Sequence, residues 1–240
     1  MRLRLILALL FCSSLWAKPY RPFDHFWQGT KDLGRAENLL IFGAGSLLTL
    51  LATSQDEKVK QFFEGRDRLG GLEKFGNFWG GGVPSAAMAA GFIGVGLLFD
   101  RKHELEAGEA YLEGVTVASA ATVGLKYTVR RDRPDHSENN SFPSGHTMLA
   151  FSIAGNLAGM YGPWAGAPAL ALGVLTTASR MADNVHYLSD TLFGATLGWV
   201  AGYAFTQHHA EAEKIKISFF PYFESRNHFG AVFSARGDLL

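Results

Sequence analysis

The chain has one cysteine in 240 residues, Cys12, and it lies in the N-terminal segment MRLRLILALLFCSSLWAK. Two arginines, an apolar run from Leu5 to Phe11 and small residues up to Ala17 have the layout of a secretory signal, so residues 1–17 are expected to act as a signal peptide or an uncleaved N-terminal anchor. Cleavage leaves no thiol, which excludes disulfides, cysteine–zinc sites and a cysteine nucleophile. Phe11 before Cys12 argues against a lipidated cysteine. A charge excess is also missing: 22 Lys and Arg balance 22 Asp and Glu. No global field favours nucleic acid or a strongly acidic partner, and any cationic function is local. Nothing resembles a linker between separate cores, and strand-like alternation is scarce before the C-terminal tail, so the chain reads as one domain built mainly of helices.

Apolar residues make up 48% of the chain and 28 residues are glycine, a combination that suits closely packed helices better than a sheet sandwich. Apolar stretches recur at 36–53, 82–99, 111–125, 147–161, 163–178 and 191–206, and six helices follow. Most fall at or below the roughly 17–25 residues of a membrane span, and Glu113 sits inside one of them, so both an embedded and a membrane-associated bundle fit. Gly194, Gly198 and Gly202, like Gly155 and Gly159, repeat every four residues and give two helices a smooth stripe for close backbone approach. Residues 54–82 mix charge with Phe, Leu and Trp, as in an amphipathic segment lying on a membrane or over a groove, or a solvated connector. The tail at 207–240 has short alternating runs broken by Pro221 and Gly230 and reads as irregular or β-like.

Chemically capable residues concentrate in three islands: KYTVRRDRP from Lys126, FPSGH ending at His146, and SRMADNVHYLSD from Ser179 to Asp190. If the helices alternate up and down through short loops, all three islands meet on one face. The converged set holds Lys126, Arg133 and Arg180 as cations, His146 and His186 as ring nitrogens, and Asp190 as a carboxylate. Guanidinium forks and an ammonium match a tetrahedral oxyanion. Ser144 and Gly145 add backbone N–H groups at a helix start, another anion-binding device.

Two histidines beside a phosphate divide the labour of transfer, one attacking phosphorus and the other protonating the departing oxygen. Asp190 follows His186 by four residues and on a helix would share its face, which makes His186 the nucleophile and His146 the acid; a turn over 187–189 is the alternative local geometry. Arg130, Arg131 and Asp132, with Arg133, also read as a plain charged loop. A His–Asp metal pair is the competing use of His186 and Asp190, opposed by three cations aimed at the same place. His25, His103, His136, His208, His209 and His228 have no comparable surroundings in the sequence and read as surface or packing residues.

These motifs resemble the signature of the type 2 phosphatidic acid phosphatase (PAP2) and vanadium haloperoxidase superfamily. Lys126 and Arg133-Pro134 match its first motif, Pro143 to His146 its second, and Ser179-Arg180, His186 and Asp190 its third, in order over residues 126–190. The resemblance implies an all-α bundle of six main helices over 18–206. It implies a metal-independent phosphatase of monoesters or pyrophosphates that uses a phosphohistidine at His186, a proton from His146 and orientation by Asp190. Lys126, Arg133, Ser144, Gly145 and Arg180 would hold the phosphate. No metal and no cofactor are expected. Vanadate would act as an inhibitor, or as a cofactor only in a haloperoxidase. Lipid phosphates are the first expected substrates; a soluble periplasmic acid phosphatase, a haloperoxidase and a non-catalytic phospholipid-headgroup binder are the alternatives. The expected setting is a bacterial-type cell envelope, either the inner membrane with a periplasm-facing site or the periplasm. The expected partners are a phosphoester substrate and a membrane, not nucleic acid.

Overall fold

The computed structural model describes residues 22–65, 67–210, 216–225 and 228–236; the N-terminal signal or anchor lies outside the described residues. Ten α-helices occur among them. Six are long: α2 (Ala36–Ala52), α5 (Gly82–Phe99), α6 (Lys102–Val129), α7 (Gly145–Tyr161), α8 (Pro163–Ala182) and α9 (Leu188–Ala204). Each covers one of the apolar stretches to within two residues, and α6 begins nine residues before its stretch. Four shorter helices complete the set: α1 (Pro22–Asp32), α3 (Asp56–Phe63), α4 (Gly71–Trp79) and α10 (Gln207–Ala210). Strands β1 (Lys216–Ser225) and β2 (His228–Arg236) pair antiparallel, with Pro221 opposite Ala231 and Tyr222 opposite Gly230. The expected all-α class is therefore found, with the β-like tail as a hairpin.

The helix boundaries follow from local chemistry. α7 starts where the Ser144 side chain accepts from the Thr147 N–H, a Ser N-cap. It stops at Gly162, whose φ of 82° favours a residue without Cβ, and Pro163 immediately opens α8. The α7–α9 pair forms the centre of the bundle, and the glycine stripes explain how. A Cβ at Gly194 would stand 2.5 Å from the Ser144 carbonyl oxygen, and at Gly198 and Gly202 closer still to the carbonyl oxygens of Met148 and Ser152. From the other side, a Cβ at Gly155 would stand 2.6 Å from the Trp199 carbonyl oxygen. At Gly155, Gly194, Gly198 and Gly202 the two backbones touch without intervening side chains, whereas Gly159 lies against the Thr206 side chain. Around this pair, Tyr111, Val115, Ala118, Met148, Ile153 and Ala201 build the apolar core.

The outer surface is the reverse of a soluble protein's. On α2, Leu39, Leu40, Leu47, Leu48, Leu50 and Leu51 are 57–72% exposed, and Leu97, Leu98 and Phe99 continue the apolar surface on α5. Fully burying a leucine is worth roughly 1.5–3 kcal/mol, so six left in water would forfeit a large part of a domain's net stability. The helical runs 36–63 and 82–99 are long and apolar enough to cross a membrane, and both keep most of their residues outside the bundle's interior. This surface fits a membrane location, with lipid covering what the protein leaves open.

Two ends of the bundle are defined by side-chain bonds. α6 ends, α7 begins, α8 ends and α9 begins at one end, and α2 delivers Asp56 there as well, where the backbone N–H of Ser189 donates to it at 2.9 Å. At the other end, Asn38 at the start of α2 donates to Gln207 Oε1 (2.8 Å) and to the Asp32 carbonyl (2.6 Å), joining α1, α2 and α10.

Candidate active site

The three islands converge, and Asp190 is the point where they join. Asp190 sits in the first turn of α9, fully buried. Its Oδ1 accepts from Arg131 Nη1 at 2.7 Å, and its Oδ2 accepts from Ser141 Oγ at 2.5 Å and from the Tyr187 N–H at 2.9 Å. Its backbone carbonyl accepts from the Ser144 N–H at 3.0 Å. One residue of the third island thus contacts the first island through Arg131 and the second through Ser144. Burial alone would raise the Asp190 pKa; the contacts from His186, Ser141, Arg131 and the Tyr187 N–H outweigh it and keep the carboxyl below its ordinary range.

His186 lies in the loop before α9, with Tyr187 as the N-cap residue, so the turn geometry is the one found rather than a shared helix face. Its Nδ1 faces Asp190 Oδ2 at 3.9 Å, an ion-pair distance too long for a hydrogen bond. Nδ1 is buried and makes no hydrogen bond among the described residues. Burial, the dominant influence, pushes the ring below its ordinary pKa against the attraction of Asp190. The imidazole is therefore neutral at neutral pH, as a nucleophile must be, and Nε2 is the nitrogen on the side away from the carboxylate.

His146 is the second residue of α7 and is half-buried. Burial, then the charges of Arg180 and His186, bring its pKa down to about 4. Arg180, near the end of α8, donates from Nη1 to Asn77 Oδ1 (2.9 Å) and Asp183 Oδ2 (2.8 Å), while its Nε is buried without a partner among the described residues. Lys126, in the last turn of α6, donates to the Asn140 carbonyl. Burial, then Arg133, lower its pKa to about 8. Arg133 is anchored by Asn140 Oδ1 (3.0 Å) and Glu138 Oε2 (2.9 Å). Lys126, Arg133, Arg180, His146 and His186 thus gather at one cationic cup: besides burial, the charge of Arg180 opposes protonation of Lys126, His146 and His186, and that of Arg133 opposes protonation of Lys126, His146 and Arg180.

Ser144 and Gly145 divide. The Ser144 N–H is committed to Asp190 and its hydroxyl to the helix cap, and the residue is wholly buried. Its backbone N–H is not the free anion donor that the motif reading expected; that group locks α7 against α9. Gly145 has open space where a Cβ would be, so a ligand can approach its backbone closely.

Several supporting residues were missed from sequence. Arg131, read as part of a charged loop, is the pivot between Asp190 and Asp56, to which it donates at 2.8 Å, with its guanidinium 4.1 Å over the Tyr187 ring. Asp56 also accepts from Ser189 Oγ at 2.6 Å. Asn77 on α4 reaches Arg180 and Asp183, so the amphipathic segment 54–82 forms part of the site wall. Only the polarity of that segment hinted at this, because the contacts span 75 and 103 residues of chain.

A helical bundle whose helix ends gather two imidazoles, a buried carboxylate and three cations defines a phosphate-handling protein of the helical kind. The family comparison agrees: a model of the PAP2 superfamily matches residues 108–214. Decaprenylphosphoryl-5-phosphoribose phosphatase of Mycobacterium tuberculosis is 34% identical over 144 residues, 55% of this chain and 73% of that protein. Lipid A 1-phosphatase of Porphyromonas gingivalis is 40% identical over 80 residues, and lipid A 4'-phosphatase of Helicobacter pylori 34% identical over 107. The matched parts cover 32% and 40% of this chain, and 18% and 54% of those two proteins. The chain belongs to the PAP2 superfamily. Its fold is similar to that of a transmembrane PAP2-type phosphatidylglycerolphosphate phosphatase from Bacillus subtilis, with a TM-score of 0.58 at 20% identity over 79% of this chain and all of that one.

Proposed function

We propose that this protein is a membrane-bound phosphatase that removes phosphate from a lipid phosphomonoester or pyrophosphate through a phosphohistidine at His186. The observation that carries the reading is Asp190, which contacts Arg131, Ser141, the Ser144 N–H and the His186 ring from one buried position. Lys126, Arg133, Arg180 and the Gly145 N–H hold the phosphate oxygens, and the unpartnered Arg180 Nε is one donor available to them. His186 Nε2 attacks phosphorus as the bond to the ester oxygen breaks, and His146 gives its proton to that oxygen. Water then loses a proton to His146 and attacks the phosphohistidine, releasing inorganic phosphate and restoring both rings. The cations act most strongly on the charge spread over the equatorial oxygens in transfer.

A lipid substrate is supported by the surroundings of the cup. A groove of about 650 Å³ runs between α5 and α7, lined by Trp79, Met88, Phe92, Ile153 and Leu157 among others, almost wholly apolar. Gly80, next to Trp79, packs against the His146 backbone, so the groove opens one residue from the site wall and suits an acyl or isoprenyl chain. Phosphate release from purified protein should be screened across lipid and soluble phosphoesters, with and without detergent. Release should be fastest with a lipid phosphate, persist in EDTA, stop with vanadate and vanish in His186→Ala. Full activity in that variant would refute the mechanism. Halide oxidation by vanadate-loaded protein with hydrogen peroxide would make it a haloperoxidase. Headgroup binding without turnover would make it a binder.

A further inference from the structure

We propose that His25, His208 and His209 bind a borderline divalent transition metal, Zn2+ foremost, at the end of the bundle opposite the phosphate cup. His25 is more than 180 positions from the adjacent pair His208 and His209, and none of the three has distinguishing context in sequence. The fold places one ligand nitrogen of each within 4.8 Å of the others. His25 comes from α1, His208 and His209 from α10. The rings of His25 and His209 stack with centroids 5.3 Å apart and an interplanar angle of 5°, and those of His208 and His209 lie 4.0 Å apart.

Two further observations point to a cation rather than to packing. His209, with a side chain only 3% exposed, has its Nε2 buried without a hydrogen-bond partner among the described residues, and so does His208. Their other nitrogens face carboxylates: His208 Nδ1 lies 3.1 Å from Asp32 Oδ2, and His209 Nδ1 3.9 Å from Glu106 Oε1. The Asp32 carboxylate on His208 Nδ1 places the proton there and leaves the His208 Nε2 lone pair free, the arrangement that orients metal-bound imidazoles, while Glu106 stands at ion-pair distance behind His209. The nearby cations are already paired, Arg35 with Asp32 at 2.7 Å and Lys102 with Glu106 at 2.9 Å. Three imidazole donors select zinc, nickel or copper over hard, oxygen-seeking magnesium and calcium. Tetrahedral Zn–N bonds of about 2.0–2.1 Å put ligand nitrogens roughly 3.4 Å apart, so the set has to close by little more than 1 Å, which side-chain torsions supply. The bound ion would fasten α1 to α10. The site is separate from phosphoryl transfer and does not depend on the proposed mechanism.

Purified, tag-free, full-length protein in detergent should be stripped with chelator, titrated with ZnCl2 and desalted, and its metal content measured. The expectation is one zinc per chain with a Kd below about 10 µM and a melting temperature raised by about 5 °C or more at a hundredfold excess over Kd. His186→Ala should bind as the unmodified chain does, which excludes the catalytic imidazoles as the source. His208→Gln/His209→Gln should retain no zinc, and His25→Ala should bind at least tenfold more weakly. If the double variant does not fold, His25→Ala and the visible spectrum of the Co2+-loaded protein decide. No stoichiometric zinc in the unmodified chain, undiminished zinc in the His25 and His208/His209 variants, or a Co2+ spectrum identical to that of the hexa-aquo ion overturns the site.

Discussion

Arg131 Nη1 lies 2.7 Å from Asp190 Oδ1, and the same guanidinium gives its other terminal nitrogen to Asp56. One arginine therefore neutralises two buried carboxylates, Asp190 beside the proposed nucleophile His186 and Asp56 at the start of the helix that follows α2. Removing it leaves Asp190 buried and short of a charge partner. Losing one member of a buried pair costs about 3–5 kcal/mol, and the 28% exposure of the Arg131 side chain lowers that toward about 2–3 kcal/mol. Arg131→Gln should melt roughly 5–10 °C lower and turn over at least tenfold more slowly, while Arg130→Gln, whose exposed side chain donates to the Tyr127 carbonyl of its own helix, should change neither measurably. Equal behaviour of the two variants in calorimetry and phosphate release would reject the pivot.

The pH dependence follows from two groups with opposite duties. His146 must carry a proton to donate one, and its pKa near 4 in the free protein means the protonated fraction falls as pH rises above that value. Burial likewise holds His186 below its ordinary pKa, so that ring is neutral at neutral pH. Lys126, near 8, loses its charge above that pH, with Arg133 and Arg180 opposing its proton and Asp190 and Glu138 favouring it. A bound phosphate raises all of these values. Profiles of kcat/KM should peak on the acid side, and KM should climb above pH 8. Lys126→Arg, charged throughout, should flatten that climb; an unchanged alkaline limb would assign it to another group.

The site was legible in outline because a phosphate needs cations, and cations at helix ends stand out against apolar stretches. Asp190, His186, His146, Lys126, Arg133 and Arg180 all arrive where alternating helices put them. The glycine stripes were legible too, since four-residue spacing leaves one helix face bare. What the sequence could not show was partnership across distance. Arg131 looks like Arg130 in a string, yet only one of them points inward, because Arg130 takes the left-handed turn (φ 49°) that ends α6. Ser144 carries a motif position but spends its N–H on a residue 46 positions away. The contact partners of Asp56 and Asn77 depend on how α3 and α4 fold back, which no local pattern encodes.

The topology carries a constraint that sequence raised and the fold sharpens. α2 runs from the α1 end of the bundle to the cup, α5 returns, and α6 comes back to the cup, three passes between residue 36 and residue 129. If these helices cross the membrane, the cup and α1 face opposite compartments. An exported α1 and a periplasm-facing cup exclude each other, so an outward site requires α1 to stay inside. Asp135, exposed on the loop after α6, reports the side directly. In a Cys12→Ser background, Asp135→Cys should react with an impermeant thiol reagent in intact cells. Labelling only after lysis of the inner membrane would place the cup in the cytoplasm and the α1 segment outside.

The α7–α9 contact ties stability to chemistry, because the glycine stripe that brings the helices together ends at the two residues that shape the site. Gly194 packs on the Ser144 carbonyl, and the Ser144 N–H holds the Asp190 carbonyl one turn earlier on α9. Any side chain on the stripe must push the helices apart, since its neighbours are backbone atoms that cannot rotate away. Overpacking of this kind costs about 1–3 kcal/mol and more where the backbone itself must move. Gly198→Leu should therefore lower the melting temperature by at least about 5 °C. It should also reduce kcat more than it raises KM, because Asp190 and His186 shift relative to His146 while the cations on α6 and α8 stay in place. Gly43→Leu, on α2 where nothing lies within 4 Å of the added carbon, is the matched control and should behave as the unmodified chain. A Gly198→Leu protein that melts lower but keeps full kcat would separate the packing of these helices from the geometry of the catalytic pair.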